Sequence, residues 1–292
     1  MPLHFITRGR SAAGLSAAAA LLLTLSACST GSPTATAPST AAAGLPSSHV
    51  HGLSVNPQTD QALLATHEGL FDVTKSPATK IGGTNDLMGF TAAADQGVFY
   101  ASGHPGPGSD MPNPMGLIRS VDGGKTWEQL SRQGESDFHA LATAKSGIIA
   151  HDGTLQTSPD GKTWTPATAG FVPAVLAGNP ETDSVLATTR EGLQRSTDGG
   201  KTWVLNAAAP VIQFVAFASG TEVFGVEPGG AVHYSTDAGS SWTQTGSIKG
   251  EVQAITAVKK TDGKPIIWAA TTEGIVVSTD GGQVFSTPPT VR

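Results

Sequence analysis

One short stretch occurs five times along this chain. It reads Ser196-Thr197-Asp198-Gly199-Gly200-Lys201-Thr202-Trp203, and again Ser120-Val121-Asp122-Gly123-Gly124-Lys125-Thr126-Trp127. A copy one residue shorter runs Ser158-Pro159-Asp160-Gly161-Lys162-Thr163-Trp164. Ser235 to Trp242 is a fourth, around Asp237, and Ser278 to Phe285 a fifth, around Asp280, with Phe in the Trp place. The aspartates stand 38, 38, 39 and 43 residues apart. A period near 40 is the length of one four-stranded propeller blade. Each stretch has the chemistry of a turn: Asp bonds back to nearby amides, and Gly accepts the positive φ of a tight hairpin. The Trp is expected to pack the hairpin onto its own blade.

These residues resemble the Asp-box (BNR) repeat, Ser-x-Asp-x-Gly-x-x-Trp, over residues 49–292. The resemblance implies an all-β chain folded as a single β-propeller, of the kind found in sialidases, sortilin-type receptors and photosystem assembly factors. In all of these the box is structural, so Asp122, Asp160, Asp198, Asp237 and Asp280 name a fold and leave the function open.

Residues 1–27 read as a signal peptide, with Arg8 and Arg10 ahead of an apolar run too short and Ala-rich to span a membrane. The run ends Leu25-Ser26-Ala27-Cys28, which resembles a bacterial lipobox. That implies a diacylated Cys28, and two acyl chains suffice for stable anchoring to the outer face of the cell membrane. Residues 29–48, rich in Ser, Thr, Ala and Pro and without charge, read as a disordered tether behind Cys28. Cys28 is the single cysteine, so the exported domain folds without disulfides. Loss of Arg8 and Arg10 takes the 17 basic side chains to 15, against 23 acidic ones, a formal −8. Nucleic acid is excluded as a partner on that charge. A monomer is expected.

Aligned on the box, residues 49–292 give six strand-rich units. Their first strands are expected to begin at His49, Asp86, Asp137, Phe171, Val211 and Glu251, with period-2 alternation. The first unit lacks a box. The register also sorts scaffold from function. Glu68 looks catalytic alone, but Glu191 and Glu273 stand at the same place, so it reads as a turn residue. Arg119 and Arg195 both precede a box serine and are set aside likewise.

The histidines break the repeat. His49 and His51 open the first strand of unit one, and His139 that of unit three. His67, His104 and His151 follow the second strands of units one, two and three. All six are expected on one face, opposite the boxes; His233 falls elsewhere. Residues i and i+2 of a strand share a side, which would join His49 with His51, Asp86 with Met88 and Asp137 with His139. A long loop, Ser102 to Gly116, adds Asp110, Met111 and Met115. Imidazole with thioether suits copper, and imidazole with carboxylate suits zinc. The candidate ligand or metal site is therefore His49, His51, His67, Asp86, Met88, His104, Asp137, His139 and His151.

Three function classes follow. The first is a non-catalytic, anchored propeller that presents this face to a copper or zinc ion, another small ligand, a glycan or a protein. The second is an exported glycoside hydrolase of the sialidase-like superfamily. Sialidases, however, use three arginines and a Tyr nucleophile. The mature chain holds five arginines, two of them repeat positions and Arg292 terminal, and lacks the Phe/Tyr-Arg-Ile-Pro signature. The third is an assembly scaffold like the photosystem factors, whose basic patch has no counterpart here. The binding class is the reading preferred.

The lipobox gives a direct prediction. Cys28→Ala should abolish incorporation of a labelled fatty acid into the chain in a bacterial host; acylation that survives the substitution would contradict it.

Overall fold

The fold was described from a computed structural model, which covers residues 45–46 and 48–288. The expected leader, Cys28 and most of the expected tether lie outside the described residues. Every helix or strand element among those described is a β-strand. Blade one is β1 (Val50–Val55), β2 (Ala62–Thr66), β3 (Gly69–Asp72) and β4 (Thr79–Ile81). Blade two is β5 (Asp86–Ala92), β6 (Phe99–His104), β7 (Leu117–Ser120) and β8 (Glu128–Ser131). Blade three is β9 (Ala140–Ala144), β10 (Gly147–His151), β11 (Leu155–Ser158) and β12 (Thr165–Pro166). Blade four is β13 (Val175–Gly178), β14 (Val185–Thr189), β15 (Gly192–Ser196) and β16 (Val204–Asn206). Blade five is β17 (Phe214–Phe217), β18 (Val223–Val226), β19 (Ala231–Ser235) and β20 (Thr243–Ser247). Blade six has β21 (Val252–Lys259), β22 (Pro265–Thr271) and β23 (Gly274–Ser278), and its fourth edge is a single bridge from Val277 to Ser286.

Each blade is an antiparallel sheet of consecutive strands, so the six expected units are six blades of one β-propeller. Among the described residues, no strand is exchanged between the chain ends. The ring closes by packing β21 against β1, with Val50, Leu53 and Leu64 of blade one against Ile266 and Trp268 of blade six. An ion pair from Lys260 Nζ to Asp60 Oδ2, 2.7 Å, lies across the same seam.

The box holds its own turn as its residue types require. In the second blade, Asp122 Oδ1 accepts from Lys125 N (3.1 Å) and Thr126 N (3.0 Å), and Oδ2 from Thr126 Oγ1 (2.6 Å). Ser120 Oγ accepts from Gly124 N at 2.8 Å. Asp198 and Asp237 repeat the pattern. The Trp, however, does not pack solely onto its own blade. Trp164 lies 4.9 Å from Phe138 and donates Nε1 to Ser131 Oγ of blade two at 2.9 Å. Trp127, Trp203, Trp242 and Phe285 likewise sit against cores shared with the preceding blade. The box glycine faces the same way. Gly200 has φ of +83°, and a Cβ there would lie 2.8 Å from Ile149 Cγ1 of blade three.

Three of the expected first strands start three or four residues later than the alternation implied: β9 at Ala140, β13 at Val175 and β17 at Phe214. The preceding residues run alongside with single hydrogen bonds instead, such as Gln213 N to Val226 O at 2.8 Å. The fourth residue counted from His49 and from Asp86 is glycine, Gly52 and Gly89, and packing gives the reason. Inner strands converge on the axis, and a Cβ on Gly89 would meet the Phe138 carbonyl oxygen.

Two predictions follow from the box. Gly200→Ala should lower the urea midpoint by an amount worth about 1–3 kcal/mol, from strain at positive φ plus the clash with Ile149; an unchanged midpoint would contradict the interblade contact. The second concerns acid. Thr126 and Ser120 hold Asp122 at about 2, against an ordinary 3.8. In Asp198, burial pushes the other way, but bonds from Thr202 and Ser196 outweigh it and also leave about 2. Asp160 and Asp237 stand at about 2 as well. Folded values below unfolded ones mean that the ionised boxes stabilise the propeller, fully so above about pH 4. That contribution is lost as pH falls towards 2, so the thermal midpoint should drop steeply between pH 4 and 2.

Candidate metal centre

The strand registers place the histidines at one end of the ring. Val50 pairs with Thr66, so His49 before β1 and His67 after β2 are neighbours. Asp86 pairs with His104, and His151 with Ala140. Ser120, which opens the second box, pairs with Phe99 at the far end of β6. The six histidines therefore lie opposite the boxes, as expected.

Two of the three i, i+2 pairs do meet, His49 with His51 (ring centroids 5.0 Å apart) and Asp137 with His139 (2.7 Å), but not through a regular ladder, because the third position of three inner strands is a β-bulge. Register breaks fall between Val50 and Gly52, Leu87 and Gly89, and Val252 and Ala254. His51, Met88 and Gln253 are the extra residues, and a bulge re-aims its side chain. Asp137 and His139 lie ahead of β9 rather than in it. The three imidazoles of blade one gather together, while His104 of blade two and His139 of blade three share Asp137.

His49, His51 and His67 form the tightest group: one ligand nitrogen from each lies within 4.8 Å of the others. His51 Nε2 and His67 Nε2 are 3.3 Å apart. The ring centroids of His49 are 5.0 Å from His51 and 5.7 Å from His67. His67 Nδ1 lies 2.9 Å from Asp86 Oδ2 on blade two. That contact fixes Nδ1 as the protonated nitrogen and leaves the Nε2 lone pair facing the other two rings. Burial pushes His51 down to about 4, with His67 and His49 adding to the shift against the opposing pull of Asp86. A half-buried neutral imidazole is a ready ligand.

The remaining expected residues are placed as follows. His139 Nε2 lies 2.7 Å from Asp137 Oδ2, and His104 Nε2 lies 3.2 Å from the same oxygen. His104 Nδ1 meets Asn113 Oδ1 at 2.7 Å. His151, half-buried at the end of β10, is lowered by burial, opposed by Asp152. Met88 is half-buried in the β5 bulge. Asp86 Oδ1 and Asp137 Oδ1 are both buried without a hydrogen-bond partner. The long loop is structural: Met115 is fully buried in the core of blades one and two, and Met111 packs on that core. His233 lies elsewhere, 2.6 Å from Glu227.

Asn113 escaped sequence reasoning. It stands in a Pro- and Gly-rich loop where no spacing marked it. The demoted residues serve the scaffold. The backbone N–H groups of Glu68, Glu191 and Glu273 each donate to the Thr two residues before, at 3.1, 3.2 and 3.1 Å. Arg195 Nε donates to the Ala238 carbonyl of the next blade.

Below the histidines, the inner strands enclose a cavity of about 280 Å³ lined by His51, Gln253, Phe90, Leu176 and Val215 among others. A tyrosine–carboxylate pair also exists, Tyr234 Oη to Glu222 Oε1 at 2.7 Å. Burial and Glu222 hold the phenol well above its ordinary value. Lys259 and Ser219 occupy the other Glu222 oxygen, at 2.6 and 2.7 Å. This is a clamp between blades five and six and a poor nucleophile.

Residues 194–205 match the family model described as BNR/Asp-box repeat, and with the six blades they define the chain as an Asp-box β-propeller. No curated protein sequence matches it. Among solved structures it is similar to the Niastella koreensis GH74 enzyme, at 19% identity and a TM-score of 0.57, over 82% of this chain and 37% of that one. An ancestral GH74 enzyme gives 14% identity and a TM-score of 0.51, over 86% and 39%. A nidogen/laminin complex gives 15% and 0.57, over 74% and 88%. The chain thus spans well under half the length of either GH74 enzyme. At these identities the likeness is one of fold.

Proposed function

We propose that this protein is an exported lipoprotein, anchored through Cys28, whose propeller binds a metal ion at His49, His51 and His67 without catalysis. The observation that carries the reading is the approach of three imidazole donors within 4.8 Å. Asp86 supports it as a carboxylate behind His67 rather than as a ligand, since its Oδ2 is spent on Nδ1. Such carboxylate–histidine pairs orient a metal-bound ring and raise its basicity. A set of three imidazoles suits zinc(II) or copper(II), whereas reduced copper favours thioether or thiolate donors. Met115 is buried in the core, Met111 packs against it, and the three gathered donors are all imidazoles, so the reading favours the divalent ions.

The chemistry of the set leaves at least one coordination position for water or a small ligand, since three protein donors fall short of a closed four-coordinate shell. The face is built on strand ends and short loops of a rigid ring, which holds the donors ready at little ordering cost.

Titration of zinc(II) and copper(II) into the purified protein tests this. Binding should be lost in His51→Ala/His67→Ala, and Asp86→Asn should weaken it by about 10–100-fold. Equal affinity in the double variant would overturn the site. A panel of fluorogenic glycosides should give no turnover; hydrolysis that disappears in Asp86→Asn or Asp137→Asn would overturn the non-catalytic reading.

A further inference from the structure

We propose a second cation site one blade further round the ring, formed by His104, Asp137 and His139. It rests on the reading of His49, His51 and His67 as a metal site. The same device is built twice. The imidazole after the second strand of one blade reaches the carboxylate that opens the next: His67 to Asp86 at 2.9 Å, and His104 to Asp137 at 3.2 Å. At the second copy, His139 Nε2 approaches the same carboxylate oxygen at 2.7 Å.

The two acceptors around His104 call for a second positive centre, either a second ring proton or a metal ion. Its Nδ1 faces Asn113 Oδ1 at 2.7 Å and its Nε2 faces Asp137 Oδ2. The imidazolium donates to both neighbours, whereas the neutral ring carries one N–H, so that one contact then sets a lone pair against an oxygen. With Nδ1–H donated to Asn113, the lone pair on Nε2 points at the carboxylate, and an ion between them turns repulsion into ligation. Asp137 supplies the second observation. Its Oδ1 is buried without a hydrogen-bond partner, and a desolvated anionic oxygen calls for a compensating charge.

Two imidazole nitrogens and a carboxylate oxygen suit a divalent ion of the zinc or copper(II) type. His104 and His139 are not gathered as tightly as the first three histidines. The His139 side chain is 59% exposed, so its ring has room to rotate onto an ion. The second site therefore closes on binding and is the weaker of the two.

Equilibrium dialysis of the purified full-length chain against zinc(II), with metal counted by mass spectrometry, tests the proposal. Two ions per chain are expected. His104→Ala/His139→Ala should lose one equivalent and keep the tighter one, and His51→Ala/His67→Ala should keep the weaker one. His233→Ala controls for a general histidine effect and should bind two. One ion in the unaltered chain, or two in the His104→Ala/His139→Ala variant, overturns the second site while leaving the first standing. No ion bound to the unaltered chain overturns both. Unfolding curves matching the unaltered chain show that each variant is folded.

Discussion

A box turn holds two blades at once, and the rest of the ring depends on that contact. Asp and Ser organise the loop from within, and its glycine and aromatic residue then press onto the neighbour. Gly200 meets Ile149, and Trp164 reaches Ser131. A blade alone is an antiparallel sheet with two apolar faces, and only a neighbour on each side can bury them. Five boxes supply five of the six seams. The sixth, between blades six and one, has no box. There Trp268 comes from the opposite partner, with an ion pair between Lys260 and Asp60.

Because the boxes fix the seams from one face, the other face is free to vary. Its residues sit on bulges, strand ends and short loops, where a change of side chain disturbs little of the core. His51 and Met88 occupy bulges, and His67 and His104 follow second strands. The contacts made there cross seams. His67 of blade one meets Asp86 of blade two, and His104 of blade two meets Asp137 of blade three. A bound ion would thus tie blade one, through His67, to blade two, with burial of the box aromatics securing the same seam from the other side.

The period and the turn chemistry made the fold legible, because five copies of one Asp- and Gly-bearing turn at a single period leave little else for a chain of this length to be. The face of the histidines was legible too, since it follows from strand order alone. The grouping was legible only in part: His49 meets His51 and Asp137 meets His139, as alternation suggested, but the rest was not. Alternation joins positions i and i+2 only while the ladder is regular, and the bulges at His51 and Met88 are invisible in single residues. Contacts between blades were equally hidden: neither the role of Asp86 behind His67 nor that of Asn113 behind His104 has a sequence spacing to reveal it. The aromatic box position was misplaced for the same reason, since sequence shows which blade a residue belongs to and nothing of what it leans on.

The central claim is that three imidazoles of blade one ligate one ion. X-ray absorption at the zinc edge, on protein loaded with one equivalent, tests it most directly. A first shell of nitrogen at about 2.0 Å, with the outer-shell scattering of three imidazole rings, is the predicted result. A sulfur shell at about 2.3 Å, or a first shell without imidazole scattering, would contradict it.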